Sequence, residues 1–394
     1  MNNKTIGIAA KFLRFAVPSL ALAAPILLPG AANAQGAFGP CTTAGYSSTY
    51  ADKCGGSGNL LKPGSTVTSA QVVRAAVAQT GGLVASRIGA LGGGAGAPGF
   101  ALAPDQHFKL LALGNAGQKF ENKDPEMKKL EKDYGVKGLA AGAHKPRIGI
   151  WADGAASRIL FDKADSKFDG KMWSGALGVD YAFTDRLVAG VAGVYEDHDY
   201  DTTFNRGTID GSGYSAVPYV VYKINKNFSV DVSGGYSCLD YDMTRLDPLD
   251  SSRITGSTDA TRWFGAANLN AGTSIDQWRL GAKLGTMFAN ESKDSFTESN
   301  SVFVPGDSTD VGDVQFGVRL GYSFRVLDGL EPYVSALGRY AYQDGRSGDK
   351  TDAVLGAGAS LRAGPATLGI QGTSVEGRDN LKQYSGSVNL RVDF

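Results

Sequence analysis

An all-β fold, a twelve-stranded antiparallel barrel that crosses a membrane, is predicted by three features of this 394-residue chain. First, residues Tyr384, Gly386, Val388, Leu390, Val392 and Phe394 alternate without a break with Ser385, Ser387, Asn389, Arg391 and Asp393. A strand repeats every two residues, so this segment offers one face to an apolar medium and the other to a wet one. Second, the pattern recurs about a dozen times between residues 148 and 394, and about 9–11 residues suffice to cross a bilayer as a tilted strand. Third, short and long connectors alternate, as periplasmic turns and extracellular loops do in bacterial barrels.

The elements follow in chain order. Lys4, Lys11 and Arg14 precede the apolar run from Phe15 to Leu28, and Ala32-Asn33-Ala34 then supplies a small-x-small pattern before Gln35. That is a secretory signal, with cleavage expected between Ala34 and Gln35. A spanning helix would need about 20 apolar residues, and Pro18 and Pro25 interrupt this run. The chain carries 39 basic and 39 acidic residues, so loss of those three cations leaves a slightly acidic protein, and no nucleic-acid partner is expected.

Cys41 and Cys54 bracket a small polar loop in a segment, residues 35–65, expected to be exposed in an oxidising compartment. A bridge between them contributes about 3 kcal/mol in the chain-entropy model. Cys238 is left over and is read as a small apolar residue on a lipid or packing face. Residues 66–147 are expected to form a helical plug and linker. From Thr66 to Ile88, Val72, Val73, Ala76, Val77, Thr80, Leu83, Val84 and Ile88 recur at helical spacing, with Ser65, Thr66 and Ser69 as caps and Gly81-Gly82 as a possible kink. Gly89 to Pro104 reads as a linker by composition. A second helix is signalled by Asp124, Pro125, Met127, Leu130 and Tyr134.

Twelve strands are expected near 148–161, 171–183, 186–199, 208–224, 226–241, 257–273, 276–291, 311–326, 329–343, 350–362, 365–376 and 379–394, with polar connectors at 162–170, 197–207, 242–256, 292–310 and 344–349. Leu177, Val179, Tyr181 and Phe183 fall on the lipid face, as do Phe228, Val230, Val232 and Tyr236, and the run from Val314 to Phe324 in steps of two. Phe183, Tyr222, Phe228, Trp278, Phe324 and Phe394 would form a lower aromatic ring, with Trp173, Tyr195, Tyr214, Tyr236, Phe288 and Tyr340 above. Arg279, Lys283, Arg319, Arg325 and Arg339 give the lumen a basic character, held by hydrogen bonds to one another, to acidic neighbours and to the plug.

Residues 148–394 resemble the autotransporter β-domain, the translocator barrel of type V secretion. The resemblance rests on Trp151-Ala152-Asp153-Gly154, Gly175-x-x-Gly178-Val179-Asp180-Tyr181, Pro218-Tyr219-Val220 and the final Leu390-Arg391-Val392-Asp393-Phe394, in that order. It implies a location in the outer membrane of a Gram-negative bacterium and a helix threading the pore. It also implies periplasmic chaperones and the barrel assembly machinery as partners, with Leu390, Val392 and Phe394 as the assembly signal. Only 113 residues run from Gln35 to Arg147, with no visible repeat, so an unusually short passenger is expected.

Other chemistry is weak. Gly94-Ala95-Gly96-Ala97-Pro98-Gly99 lacks the strand and helix of a dinucleotide site and reads as linker. Gly306-Asp307-Ser308 resembles a nucleophile block of certain secreted esterases and reads as a turn. Glu196-Asp197-His198-Asp199 would suit a general base at an outer rim, but is read as a solvated rim segment. His107 and His144 lack metal-ligand spacing. The expected function is therefore an outer-membrane barrel that anchors, and translocates or exposes, its own N-terminal segment. No catalytic residue, metal or cofactor is assigned, and the surface ligand is unspecified. A porin-like channel and a rim-active hydrolase are the alternatives.

Overall fold

A computed structural model describes residues 69–92, 147–163, 166–247, 250–324, 329–343 and 350–394. The Ala34–Gln35 junction, Cys41, Cys54, the helix expected near Asp124, His107, His144 and Arg325 lie outside the described residues.

Among the described residues one helix, α1 (Ser69–Gly92), precedes fourteen strands: β1 (Ile148–Phe161), β2 (Phe168–Ala182), β3 (Leu187–Thr202), β4 (Gly207–Lys223), β5 (Phe228–Leu246), β6 (Arg253–Ile275), β7 (Trp278–Lys293), β8 (Phe296–Thr297), β9 (Phe303–Val304), β10 (Asp307–Tyr322), β11 (Leu330–Gln343), β12 (Thr351–Ala363), β13 (Ala366–Glu376) and β14 (Leu381–Asp393). Twelve of them close an antiparallel barrel, and β8 and β9 form a separate hairpin between β7 and β10. Closure is made by β14 on β1, in unbroken register from Gly149–Asp393 to Phe161–Leu381. The Phe394 amide donates to Ile148 O at 2.9 Å, completing the seam.

The alternation sorts the side chains as the sequence predicts. Leu177, Val179, Val232, Phe316 and Val318 face outward and are exposed, while Ser174, Asp180, Asp231 and Arg319 point into the lumen and are buried. Outward aromatics stack along two rings, with centroids 5.1 Å apart for Trp173–Tyr195 and 4.9 Å for Tyr195–Tyr214 above, and 5.0 Å for Trp278–Tyr322 below. On β7, Trp278 and Phe288 are ten residues apart, about 33 Å of strand, or about 25 Å of membrane thickness at the usual tilt. Cys238 is exposed on the outer wall, in agreement with its reading as a face residue rather than a bridge partner.

Two expected loops are strand. β3 runs to Thr202 and β4 begins at Gly207, so 203–206 alone make the turn where a connector over 197–207 was expected. β5 likewise runs to Leu246 and β6 begins at Arg253, through the expected loop 242–256. Above the membrane the outward positions need not be apolar: Asp199, Asp210, Asp240 and Asp242 face water while Tyr200, Ile209, Tyr241 and Met243 on alternate positions are buried inside. Polar outward positions above the membrane therefore continue the strand without the apolar alternation that marks it in lipid. Asp307 and Ser308, read as a turn, pair with Lys293 and Ser292 at the top of β10. No described helix is long and apolar enough to cross a membrane.

Leu177 sits midway between the two rings and points outward, whereas Ser385 points inward. Leu177→Arg is therefore expected to cost roughly 2–4 kcal/mol of barrel stability in lipid, with Ser385→Arg folding nearly normally. Equal folding yields of the two variants in vesicles would show the face assignment to be wrong.

Candidate functional site: the helix seat inside the barrel

The α1 sequence is apolar or small around most of its circumference, which suits a helix enclosed on all sides. It occupies the lumen, where nearly every side chain from Gln71 to Leu91 is buried. The helix continues through Gly81-Gly82 and on to Gly92, past the expected linker start at Gly89. Val73, Val77, Leu83, Val84 and Ile88 pack with Trp151, Val188, Val194, Val217, Tyr219 and Phe264. Nearer the top, Val72, Ala75 and Ala76 join Met172, Tyr200, Leu239 and Tyr241. Each large aliphatic side chain buried this way is worth about 1.5–3 kcal/mol relative to a water-filled lumen.

Arg74, Gln79, Thr80, Ser86 and Arg87 on α1 each bond to the wall. At the lower end Arg87 donates twice to Asp180, Nε to Oδ2 and Nη2 to Oδ1, both at 2.6 Å, and reaches Asp393 at 3.4 Å. Asp180 also accepts from the Tyr219 hydroxyl at 2.9 Å, which in turn accepts from Trp151 Nε1 at 2.9 Å. Arg391 holds Asp393 at 2.5 Å. Two glycines make room: a Cβ on Gly149 would lie 2.0 Å from the Arg87 guanidinium, and one on Gly178 would lie 2.3 Å from the Trp151 ring. Thus all four stretches that carried the family resemblance converge on one guanidinium. Sequence spacing does not reveal that convergence, because β14 meets β1 only when the sheet closes and Tyr219 reaches Asp180 across the intervening β3.

Higher in the lumen, Ser86 donates to Asp153 Oδ2 at 2.5 Å, and Gln79 donates to Ser174 at 2.9 Å while accepting from Ser157 at 2.7 Å. Thr80 donates to Glu196 Oε2 at 2.7 Å. Near the upper ends of β10 and β11, Arg74 pairs with Asp313 and donates to Gln343 O at 3.2 Å. The helix therefore runs with its N-terminal end towards the long loops and its C-terminal end towards the tight turns.

The expected rim segment is overturned here. Glu196 and His198 are inside the wall, 0% and 2% exposed. Glu196 is bonded to Arg262 at 2.6 Å and to His198 Nε2 at 3.1 Å, and His198 Nδ1 lies 3.1 Å from the Tyr200 hydroxyl. Arg262 bridges on to Glu291 at 2.8 Å. A His so enclosed is a structural partner, and a rim hydrolase loses the base on which that reading stood. The alternation of Val194, Glu196, His198 and Tyr200 was the available signal.

Of the predicted basic lumen, Lys283, Arg319 and Arg339 are buried inside, and Arg279 is partly covered near the lower rim, bonded to Ser274 and Ser323. Their charge is offset by acids, of which Asp231 is expected in the lumen from the alternation and Glu331 and Asp352 are not. Arg319 pairs with Glu331 at 2.8 Å and stacks over Tyr333 at 3.8 Å, while Arg339 and Arg378 share Asp352 at 2.5 and 3.1 Å. Lys283 lies within electrostatic reach of Asp231, which accepts from Asn268 and Asn270 at 2.6 Å each. Among the described residues, no cluster of His, Cys, Asp and Glu could hold a metal. Arg245 pairs with Glu298 at 2.5 Å, tying the β8–β9 hairpin to β5.

A closed barrel with an apolar outer band and a helix bonded along its lumen defines an integral outer-membrane protein. The family model for the autotransporter beta-domain matches residues 150–377. The chain belongs to that family, whose barrel acts in type V secretion as a translocator and is not itself catalytic. Among solved structures, the translocator domain of the autotransporter NalP from Neisseria meningitidis is similar at 13% identity and a TM-score of 0.57, covering 68% of this chain and 95% of that one. The beta domain of the Bordetella autotransporter BrkA is similar at 17% identity and a TM-score of 0.56, covering 63% and 100%. At these identities the likeness is one of fold. A comparison with curated protein sequences finds no match.

Arg87→Ala leaves the buried Asp180 bonded to Tyr219 but without its paired guanidinium, a change of about 3–5 kcal/mol. Limited proteolysis of the protein in detergent should then cut α1 much faster than in wild type. Adding Asp180→Asn should restore part of the protection, because the stranded charge is gone. Unchanged protection in Arg87→Ala would mean that the pair does not seat the helix.

Proposed function

We propose that the seated helix is a tether, holding the segment ahead of Ser69 at the outer surface while the barrel anchors it. One observation carries this reading: the helix is bonded at both ends in a fixed direction, Arg74 among the upper strand ends and Arg87 among the lower. With the tight turns on the periplasmic side, as in bacterial barrels, the chain before α1 leaves by the upper mouth. Gly92 and Ile148 both lie at the lower end, which this reading makes the periplasmic side.

The remaining assignments belong to the same reading. Residues 1–34 act as the export signal, 35–65 as the displayed segment, 66–147 as plug and linker, and 148–394 as the barrel. Cys41 and Cys54 close the displayed loop, and Leu390, Val392 and Phe394 present the outward face of β14 to the barrel assembly machinery after passage with periplasmic chaperones. The intact mass of unreduced mature protein reads both cleavage and bridge: a chain starting at Gln35 and lighter by two hydrogens is expected, and alkylation of both thiols without reductant would refute the bridge. Loss of outer-membrane yield on removing Phe394 checks the terminal signal.

The topology is tested by epitopes. One inserted after Gln35 should be stained by antibody on intact cells, and one inserted after Gly117 only after the outer membrane is opened. Staining of the second on intact cells, or of neither, would overturn the tether.

A further inference from the structure

The outer wall changes sign along one row of paired residues. From β14 round the barrel to β5, the outward positions that stand opposite one another are Tyr384, Arg158, Lys171, Asp199, Asp210 and Asp242. The row runs just above the upper aromatic ring, since Trp173 lies one outward position below Lys171 on β2 and stacks with Tyr195 on β3. That is the height of the lipid headgroups. Like charges directly across from one another repel, and the Arg158–Lys171 pair is relieved by an anion from outside the chain.

The basic sector is wider than this row. Lys382 on β14 faces outward diagonally from Arg158, because its own partner on β1 is Leu160. Lys163 and Lys167 follow in the β1–β2 connector. Asp169 accepts twice from Arg158, at 3.1 and 2.7 Å, and Asp162 pairs with Lys167 at 2.7 Å. Asp199 stands opposite Lys171 in register. Lys163, Lys171 and Lys382 are left exposed, with no ion pair among the described residues.

Below these cations the apolar band is cut away. Gly372, Gly386 and Ala156 are neighbours in the next row down, and Gly154 lies opposite Gly175 in the row beneath. A Cβ on Gly154, Gly372 or Gly386 would meet nothing nearer than 3.9 Å, so packing within the chain does not require glycine there. The wall has a shallow depression under the lysines, where an acyl chain can lie close to the sheet.

We propose that the upper outer face of β14, β1 and β2 binds an outer-leaflet lipid that carries more than one phosphate, with Lys382, Lys171 and Arg158 on the phosphates and an acyl chain over Gly386, Ala156 and Gly154. Three adjacent strands spread the cations over about 10 Å at ~4.8 Å per strand, which suits two phosphates better than one. Phosphate oxygens accept strong charge-assisted hydrogen bonds from such groups, and anionic headgroups attract Lys and Arg at a membrane surface. A lipid held on both Lys382 and Lys171 spans the β1–β14 seam from outside. Assignment to the outer leaflet rests on the orientation proposed above, whereas binding in detergent does not depend on it, so the two can fail separately.

Native mass spectrometry of the full-length mature protein in detergent, titrated with bis-phosphorylated lipid A, decides it. One lipid should stay bound to the wild-type barrel. Lys171→Gln combined with Lys382→Gln, which removes two exposed cations and no ion pair, should weaken binding about tenfold or more. Lys226→Gln, in a tight turn at the opposite rim, should bind as wild type does, and lipid A stripped of its phosphates should bind far more weakly. Undiminished binding in the double variant, an equal loss in Lys226→Gln, or equal binding of the dephosphorylated lipid would each overturn the proposal. Displacement of the lipid by an equimolar amount of inorganic phosphate would mark a site for a free anion and would overturn it too.

Discussion

Strands in hydrocarbon have no water to take their N–H and C=O groups, so a spanning sheet must close on itself. The β1–β14 seam meets that demand, and the rest of the architecture depends on it. Closure brings the beginning of the barrel beside its end, which is why Gly149, Trp151 and Asp153 share a wall with Asn389, Arg391 and Asp393. The seat for Arg87 is built there, with Asp393 of β14 brought by closure to the side of Gly149 on β1 and Asp180 on β2.

Inside, a second constraint operates. A cylinder of twelve strands leaves space that its side chains alone do not fill, and polar groups lining that space must find partners. The helix supplies both volume and donors. Buried ion pairs such as Arg87–Asp180 add little net stability compared with apolar packing, because each charge has been taken from water. Their geometry is directional, however, and it fixes the rotation and depth of α1 where valine and alanine contacts alone would tolerate sliding. The apolar contacts hold the helix in; the charged contacts determine its register.

The same balance explains the uneven lumen. Large inward side chains such as Trp151, Tyr219 and Phe264 pack with α1, while β14 turns Gln383, Ser385, Ser387 and Asn389 inward. Asymmetry of this kind needs no special loop or lid, since it follows from which strands carry tyrosine and valine inward and which carry serine and glycine.

Strand number, facing and the aromatic rings were legible in the sequence because period-two alternation and turn residues are local properties, and lipid imposes one requirement on every outward position. The helical spacing of Val73, Val77, Val84 and Ile88 was legible for the same reason. Strand ends above the membrane were not, since water accepts polar residues on a strand as readily as on a loop, and Asp197 to Asp201 were misassigned. Nor were the partners of Arg87, Arg262 and Arg319, which lie from 12 to 306 positions away. The sequence by itself determined that a barrel with a helix ahead of it would form. Only the tertiary structure decided which charges meet, because pairing inside a closed sheet depends on shear and register summed around the whole cylinder.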